Sequence, residues 1–339
     1  MDKETLIKIF SDFRPDCKEK TCKQYAMTLS KISKDINKDK DYNGDEYLEN
    51  PQLVFDYLAN KGSAKSTQAN VLSTIIIYLD SKKRDTTPYK KQKYLLDESI
   101  ELHYNSGKPT ELQINNWTSL KSINDMVGKL DSLCDEPMGE NASYNETWTR
   151  KEMEQVRLLF HLLLKHPSRN EYGCLQFISY RNFKKLMPQT IDKNYIVIRS
   201  GKDPQLVISQ YKTQKTYGLK ETFITDKFLK KLIMKTYKKI GQEYLFTYPK
   251  KQSWGGCWSN NYVSQMLAKW TSQMLGKNIS STILYKIIIH ELGVSYDQSL
   301  KTENWELAEK VKEKLQEYAK SRGHSFKIQK KVYHTPNHE

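Results

Sequence analysis

Three stretches of this chain, far apart in sequence, carry side chains suited to chemistry at a phosphodiester. The last is Arg322-Gly323-His324-Ser325, followed by Tyr333 nine residues after the histidine. A tyrosine oxygen can displace a 5′-hydroxyl and hold the bond energy as a 3′-phosphotyrosine, which a second 5′-hydroxyl then attacks. The first is His166-Pro167-Ser168-Arg169-Asn170-Glu171, directly after the apolar run Leu158 to Leu164. The planar, permanently protonated fork of Arg169 can bond two phosphate oxygens and stabilise the charge that builds on them in a transition state. Between these lies Tyr211-Lys212-Thr213-Gln214-Lys215-Thr216-Tyr217-Gly218. A lysine desolvated beside an arginine has a lowered pKa and can protonate a leaving oxygen near neutral pH. Lys212 and Lys215 are the two lysines of this stretch. In a chain with 22 tyrosines, a Gly-His-Ser turn and a later Tyr mean little alone. The order of all the pieces carries the reading.

That order, arginine, hairpin lysine, histidine and then tyrosine, resembles the tyrosine recombinases, the phage-type integrase family. The resemblance implies that Tyr333 attacks, Arg169 and His324 stabilise the phosphorane, and a hairpin lysine, Lys212 as first choice and Lys215 as second, protonates the departing 5′-oxygen. It also implies no metal and no cofactor, because the phosphotyrosine preserves the bond energy. The family has a second arginine, within His-x-x-Arg on a helix ahead of the terminal His and Tyr. Here Gly276-Lys277-Asn278-Ile279-Ser280-Ser281 leads into Thr282-Ile283-Leu284-Tyr285. Thr282 stands where the histidine is expected and Tyr285 where the arginine is expected, so this motif is degenerate. Losing one such contact costs about 2.7–4 kcal/mol if it resembles loss of an oxyanion donor. Lys286 is a substitute only if the register slips by one, since it points about 100° round the helix. His290, one turn further on, reads as a structural or surface histidine. The stretch from Gly107 to Trp117 and the Tyr-Lys-Thr hairpin are similar to integrases of large eukaryotic DNA viruses, virophages and related mobile elements.

The elements that must position these residues are mainly helical. Residues 1–108 read as a small bundle: apolar positions Tyr25, Leu29 and Ile32 fall at helical spacing, as do Leu72, Ile75, Ile76 and Leu79. Pro51 suits a helix start, Ser66 or Thr67 a cap, and a long helix is predicted from about Tyr89 to Tyr104. The resemblance makes this bundle a SAM-like core-binding domain. Residues 109–146 are expected to be a linker and bridging helix. Residues 147–339 are expected to be the catalytic domain, its first helix capped by Thr149 with Glu152. Only this part contains strands, at 195–198, 206–208 and 222–225, β-branched runs separated by turn formers. The expected fold class is α+β, mainly α with a small antiparallel sheet. The stripe from Asn304 to Lys320 reads as core, and Trp254, Trp258 and Trp270 as core anchors.

Lys and Arg number 55 against 40 Asp and Glu, a net charge of +15. An excess of that size answers a polyanion, and double-stranded DNA is the expected partner, although part of the lysine count follows from an A/T-rich coding bias. No apolar window is long enough for a membrane span, and Met1-Asp2-Lys3-Glu4-Thr5 has neither region of a secretion signal. The five scattered cysteines read as reduced thiols of an intracellular protein. The predicted location follows the target DNA: nucleus, viral factory or cytoplasm. The leading function is site-specific DNA strand exchange or integration, with the two domains clamping the duplex and, by resemblance, a DNA-dependent homotetramer. Two alternatives stand beside it: a catalytically degenerate relative that binds DNA without cleaving it, and a type IB topoisomerase.

Overall fold

The computed structural model describes residues 2–38, 44–106, 108–139, 143–186, 191–240, 244–248 and 256–323. The chain divides into two compact units, Met1–Ser106 and Gly107–Glu339.

The first unit is a bundle of helices α1 (Lys3–Phe13), α2 (Glu19–Ile36), α3 (Pro51–Asn60), α4 (Lys65–Ser81) and α5 (Thr87–Asn105). Asp2 caps α1 through Thr5, and Asn50 caps α3 with Pro51 in the first turn, as its missing N–H allows. Ser66 and Thr67 do not cap α4. That helix starts earlier, after Ala64, with no side-chain cap, so both lie inside its first turn. Phe10, Leu29, Leu72 and Ile75 are fully buried, each contributing about 1.5–3 kcal/mol by leaving water. Tyr89 places its hydroxyl in the same core by donating to the Leu48 carbonyl.

The second unit opens with α6 (Glu111–Asn115), α7 (Leu120–Asp135) and α8 (Tyr144–Lys165). Residues 109–146 are more than a spacer: Ile123, Met126, Val127 and Leu130 of α7 share one core with Val156, Leu159, Phe160 and Leu163 of α8. Ser143 and Glu146, not Thr149 and Glu152, form the capping box of α8. Glu152 lies about two turns inside and is buried, where it accepts from the Trp270 indole at 2.9 Å and pairs with Lys269. The capping-box pattern occurs twice within ten residues, and packing of Glu152 against Trp270 selects the earlier start.

Then follow β1 (Leu175–Ser179), α9 (Tyr180–Phe183), β2 (Asn194–Ile198), β3 (Gln205–Ile208), α10 (Gln214–Tyr217) and β4 (Lys220–Phe223). Helices α11 (Lys227–Ile240), α12 (Asn260–Leu275), α13 (Ser281–Lys301) and α14 (Trp305–Arg322) complete the unit. The sheet order is β1-β2-β3-β4. It is mixed rather than antiparallel: β1 runs parallel to β2, while β2–β3 and β3–β4 are antiparallel. The connection from Ser179 to Asn194 is long enough for the crossover that parallel pairing requires. The sequence reading missed β1, whose five residues lack a polar/apolar alternation and run straight into α9.

Cys174, at the head of β1, is disulfide-bonded to Cys257. This corrects the expectation of five free thiols. Bridges Gln176↔Tyr244 and Thr247↔Cys257 bring together cysteines 83 residues apart, a pairing no local spacing reveals. Cys17, Cys22 and Cys134 are free. Trp258 and Trp270 are buried in the core; Trp254 lies outside the described residues. Among the described residues no helix is long and apolar enough to cross a membrane.

Candidate active site

Helix α8 ends at His166, and Pro167 cannot continue it. The turn that follows is tied down on several sides. Ser168 Oγ donates to the buried Glu171 carboxylate at 2.8 Å, Tyr172 donates to the His166 carbonyl, and Asn170 Nδ2 donates to Ser264 Oγ of α12 at 2.7 Å. Gly173 backs onto α12's approach so closely that a Cβ there would lie 2.3 Å from the Trp258 carbonyl oxygen. Arg169 is thus carried on a rigid turn. Its side chain is half-buried and makes no hydrogen bond or ion pair among the described residues.

The β3–β4 connection is shaped by Asn194, whose Oδ1 accepts from the Ser209 and Gln210 amides at 3.0 and 2.8 Å. Its Nδ2 donates to the Glu171 carbonyl, joining this connection to the arginine turn. Tyr211 donates to the Gly218 carbonyl at 2.8 Å and closes the loop between them. Lys212 and Lys215 are both exposed on that loop. Neither is desolvated by its neighbours.

Lys220 is desolvated. As the first residue of β4, it is half-buried, its ammonium lies 3.4 Å from the Tyr211 ring centroid, and it donates to the Ser321 carbonyl at 2.8 Å. Burial lowers its pKa from 10.5 to about 8, Glu171 opposing and the charges of Arg169 and Arg322 adding to the fall. At a pKa of about 8 the group is mostly protonated at neutrality yet able to release its proton. The available signal was strand alternation: Lys220 faces Ile208 across the β3–β4 ladder. A half-buried lysine paired with the buried strand β3 differs physically from one on the loop.

The end of α14 docks onto both segments. Ser321 Oγ donates to the Pro167 carbonyl at 2.7 Å, and Thr213 Oγ1 donates to the Gly323 carbonyl at 2.8 Å. Gly323 caps the helix in the left-handed region, φ 73°. Arg322 is buried. Its Nη1 donates to the Ser168 and Ser281 carbonyls at 2.7 and 3.2 Å, and its Nη2 to Thr282 Oγ1 at 3.1 Å. The guanidinium carbon sits 4.4 Å from the Tyr285 ring centroid. Sequence reasoning passed over Arg322, although it directly precedes Gly323-His324-Ser325 in the chain.

Three distant segments therefore converge: the turn bearing Arg169, the loop and strand bearing Lys220, and the helix end at Arg322. Thr282 and Tyr285 lie in the first turns of α13, Tyr285 buried and Thr282 exposed. Lys286 is buried on the same helix, where desolvation lowers its pKa. His290 packs edge-on against Trp117 at 5.5 Å, a structural contact. His324 and Tyr333 lie outside the described residues.

The chain is similar to a XerA recombinase. The match to the crystal structure of XerA recombinase covers 98% of this chain and 94% of that one, with 11% identity and a TM-score of 0.37. No protein-family model matches the chain. No curated protein matches it.

Proposed function

We propose that this chain breaks and rejoins double-stranded DNA through a 3′-phosphotyrosine, as a site-specific recombinase or integrase. One observation supports the reading above others: Arg169 and Lys220 share an electrostatic site with the end of α14, to whose last carbonyl His324 is directly bonded. An arginine, a lysine of lowered pKa and an adjoining histidine form a set suited to in-line displacement at phosphorus.

In the proposed reaction the Tyr333 oxygen bonds to the scissile phosphorus, its proton passing to solvent, and the bond to the 5′-oxygen breaks. Arg169 and His324 stabilise charge on the non-bridging oxygens. Lys220, in place of Lys212, gives its proton to the departing 5′-oxygen. A second 5′-hydroxyl then reverses the step, and Lys220 takes its proton back. The N-terminal bundle, rich in lysine, would serve as a core-binding domain on DNA phosphates, with affinity that falls steeply with salt. A DNA-dependent homotetramer, a mobile or viral element as source, and a location set by the target DNA belong to the same proposal.

The test uses a pool of nicked duplexes with randomised sequence around the nick, so that a cleaved strand loses its religating partner. Wild type should form a covalent protein–DNA adduct that Tyr333→Phe does not. DNA binding with no adduct from either protein would overturn cleavage in favour of a non-catalytic DNA-binding relative. Relaxation of supercoils without joining of separate duplexes would favour topoisomerase chemistry.

A further inference from the structure

We infer that Arg322 supplies the second positive charge on the reacting phosphate, from a different helix than the one that leaves Thr282 and Tyr285 uncharged. The inference rests on the proposed strand-breaking reaction and names a further residue in its site.

The two positions are spatially reciprocal. The guanidinium of Arg322 lies over the ring at position 285, with its carbon 4.4 Å from the centroid, and bonds to the Thr282 hydroxyl. An aromatic ring on α13 with an arginine from α14 lying on it delivers a cation to the space beside the first turns of α13. Stacking on a ring suits the flat, weakly hydrated guanidinium and not an ammonium.

The guanidinium is also held at a defined angle. Nη1 bonds to carbonyls of two segments, Ser168 beside Arg169 and Ser281 at the head of α13, so the plane cannot swing. Nη2 faces Thr282, which is exposed, so this edge of the group lies just beneath the surface. The acceptors of these three bonds are neutral oxygens.

Position agrees. The charges of Arg322 and Arg169 both reach Lys220, and the Arg322 bond to the Ser168 carbonyl sets its guanidinium beside the turn that carries Arg169.

The test begins with the duplex that wild type captures from the randomised nicked pool, prepared with either a phosphate or a methylphosphonate at the scissile position. Methylphosphonate replaces one charged oxygen by a methyl group, so a residue needed to neutralise that oxygen becomes dispensable. Arg322→Lys keeps a charge but loses the fork and the stack. It should slow adduct formation on phosphate by about 10²–10³-fold and recover most of that loss on methylphosphonate. A purely structural arginine would not discriminate between the two substrates, so equal loss on both, or no loss on phosphate, would overturn the inference. Arg322→Leu combined with Tyr285→Arg moves the cation to the other helix and should be faster than Arg322→Leu alone. If Arg322→Lys fails to fold by thermal melting, this pair decides: a folded, inactive double variant beside an active wild type overturns the inference. No adduct from wild type overturns the strand-breaking reading itself, a pattern distinct from an active wild type with indifferent Arg322 variants.

Discussion

Lys220 donates a 2.8 Å hydrogen bond to the Ser321 carbonyl, joining the first residue of β4 to the end of α14 across 101 residues. Through it, the proposed proton donor and the helix end that precedes His324 in the chain are positioned by the same contact.

Replacing Lys220 should therefore act on the chemical step. Lys220→Ala is expected to slow adduct formation by about 10²–10⁴-fold, the usual range for losing a general acid. A duplex with a 5′-bridging sulfur, whose thiolate leaves without a proton, should restore most of the rate. Lys212→Ala should stay within about tenfold of wild type, because an exposed loop lysine contributes a phosphate contact at most. Single-turnover rates on the two duplexes check both statements, and a full loss in Lys212→Ala with an active Lys220→Ala would reverse the assignment.

The pH profile follows from the same residue. A general acid works in its protonated form, and burial lowers the Lys220 pKa to about 8. Adduct formation should be present below that value and decline as pH rises through it. On the sulfur-bridged duplex the decline should disappear. A decline near the ordinary lysine value of about 10.4 would show that Lys220 is not desolvated in the working enzyme.

Gly323 and Gly276 both sit at helix ends with positive φ, 73° and 65°. A Cβ on Gly276 meets nothing within 4 Å, whereas one on Gly323 would lie 2.5 Å from Thr213 Oγ1. Gly276→Ala should cost only the left-handed backbone penalty, about 1–2 kcal/mol. Gly323→Ala should cost more and also weaken the Thr213 contact, lowering adduct formation together with stability. Urea midpoints with rates measured on folded protein compare the two; equal destabilisation and full activity in Gly323→Ala would contradict the docking of α14.

The Cys174–Cys257 bond predicts a thiol count. Alkylation of denatured protein without reductant should label three cysteines, Cys17, Cys22 and Cys134, and reduction should expose the remaining pair. Cys174→Ser should lower unfolding stability by about 2–4 kcal/mol, since the bond closes a long loop in the unfolded chain. Five reactive thiols in unreduced protein would restore the sequence-based expectation.

Much of the framework was legible in the chain. Periodic apolar residues placed α2, α4 and α8, a proline at its start placed α5, and β-branched runs placed β2, β3 and β4 within one or two residues. Helices declare themselves locally because burial of one face follows a 3.6-residue period. The early start of α8 was not legible, because two capping boxes compete there and only the Glu152–Trp270 contact decides between them. Strand β1 and its parallel pairing escaped for a related reason: pairing direction is set by a partner strand and not by its own residues.

Sequence alone raised Arg169 and the terminal Gly-His-Ser segment as candidates, from the order of motifs along the chain, and set the apolar periods that place the helices. Tertiary structure alone decided that Lys220 and not Lys212 is desolvated, that Arg322 lies on Tyr285, and that Cys174 meets Cys257. Each of these depends on which distant groups exclude water from a side chain or approach it within a few ångströms. Desolvation and close approach are properties of a packed volume, and residue type fixes neither until the chain has closed around it.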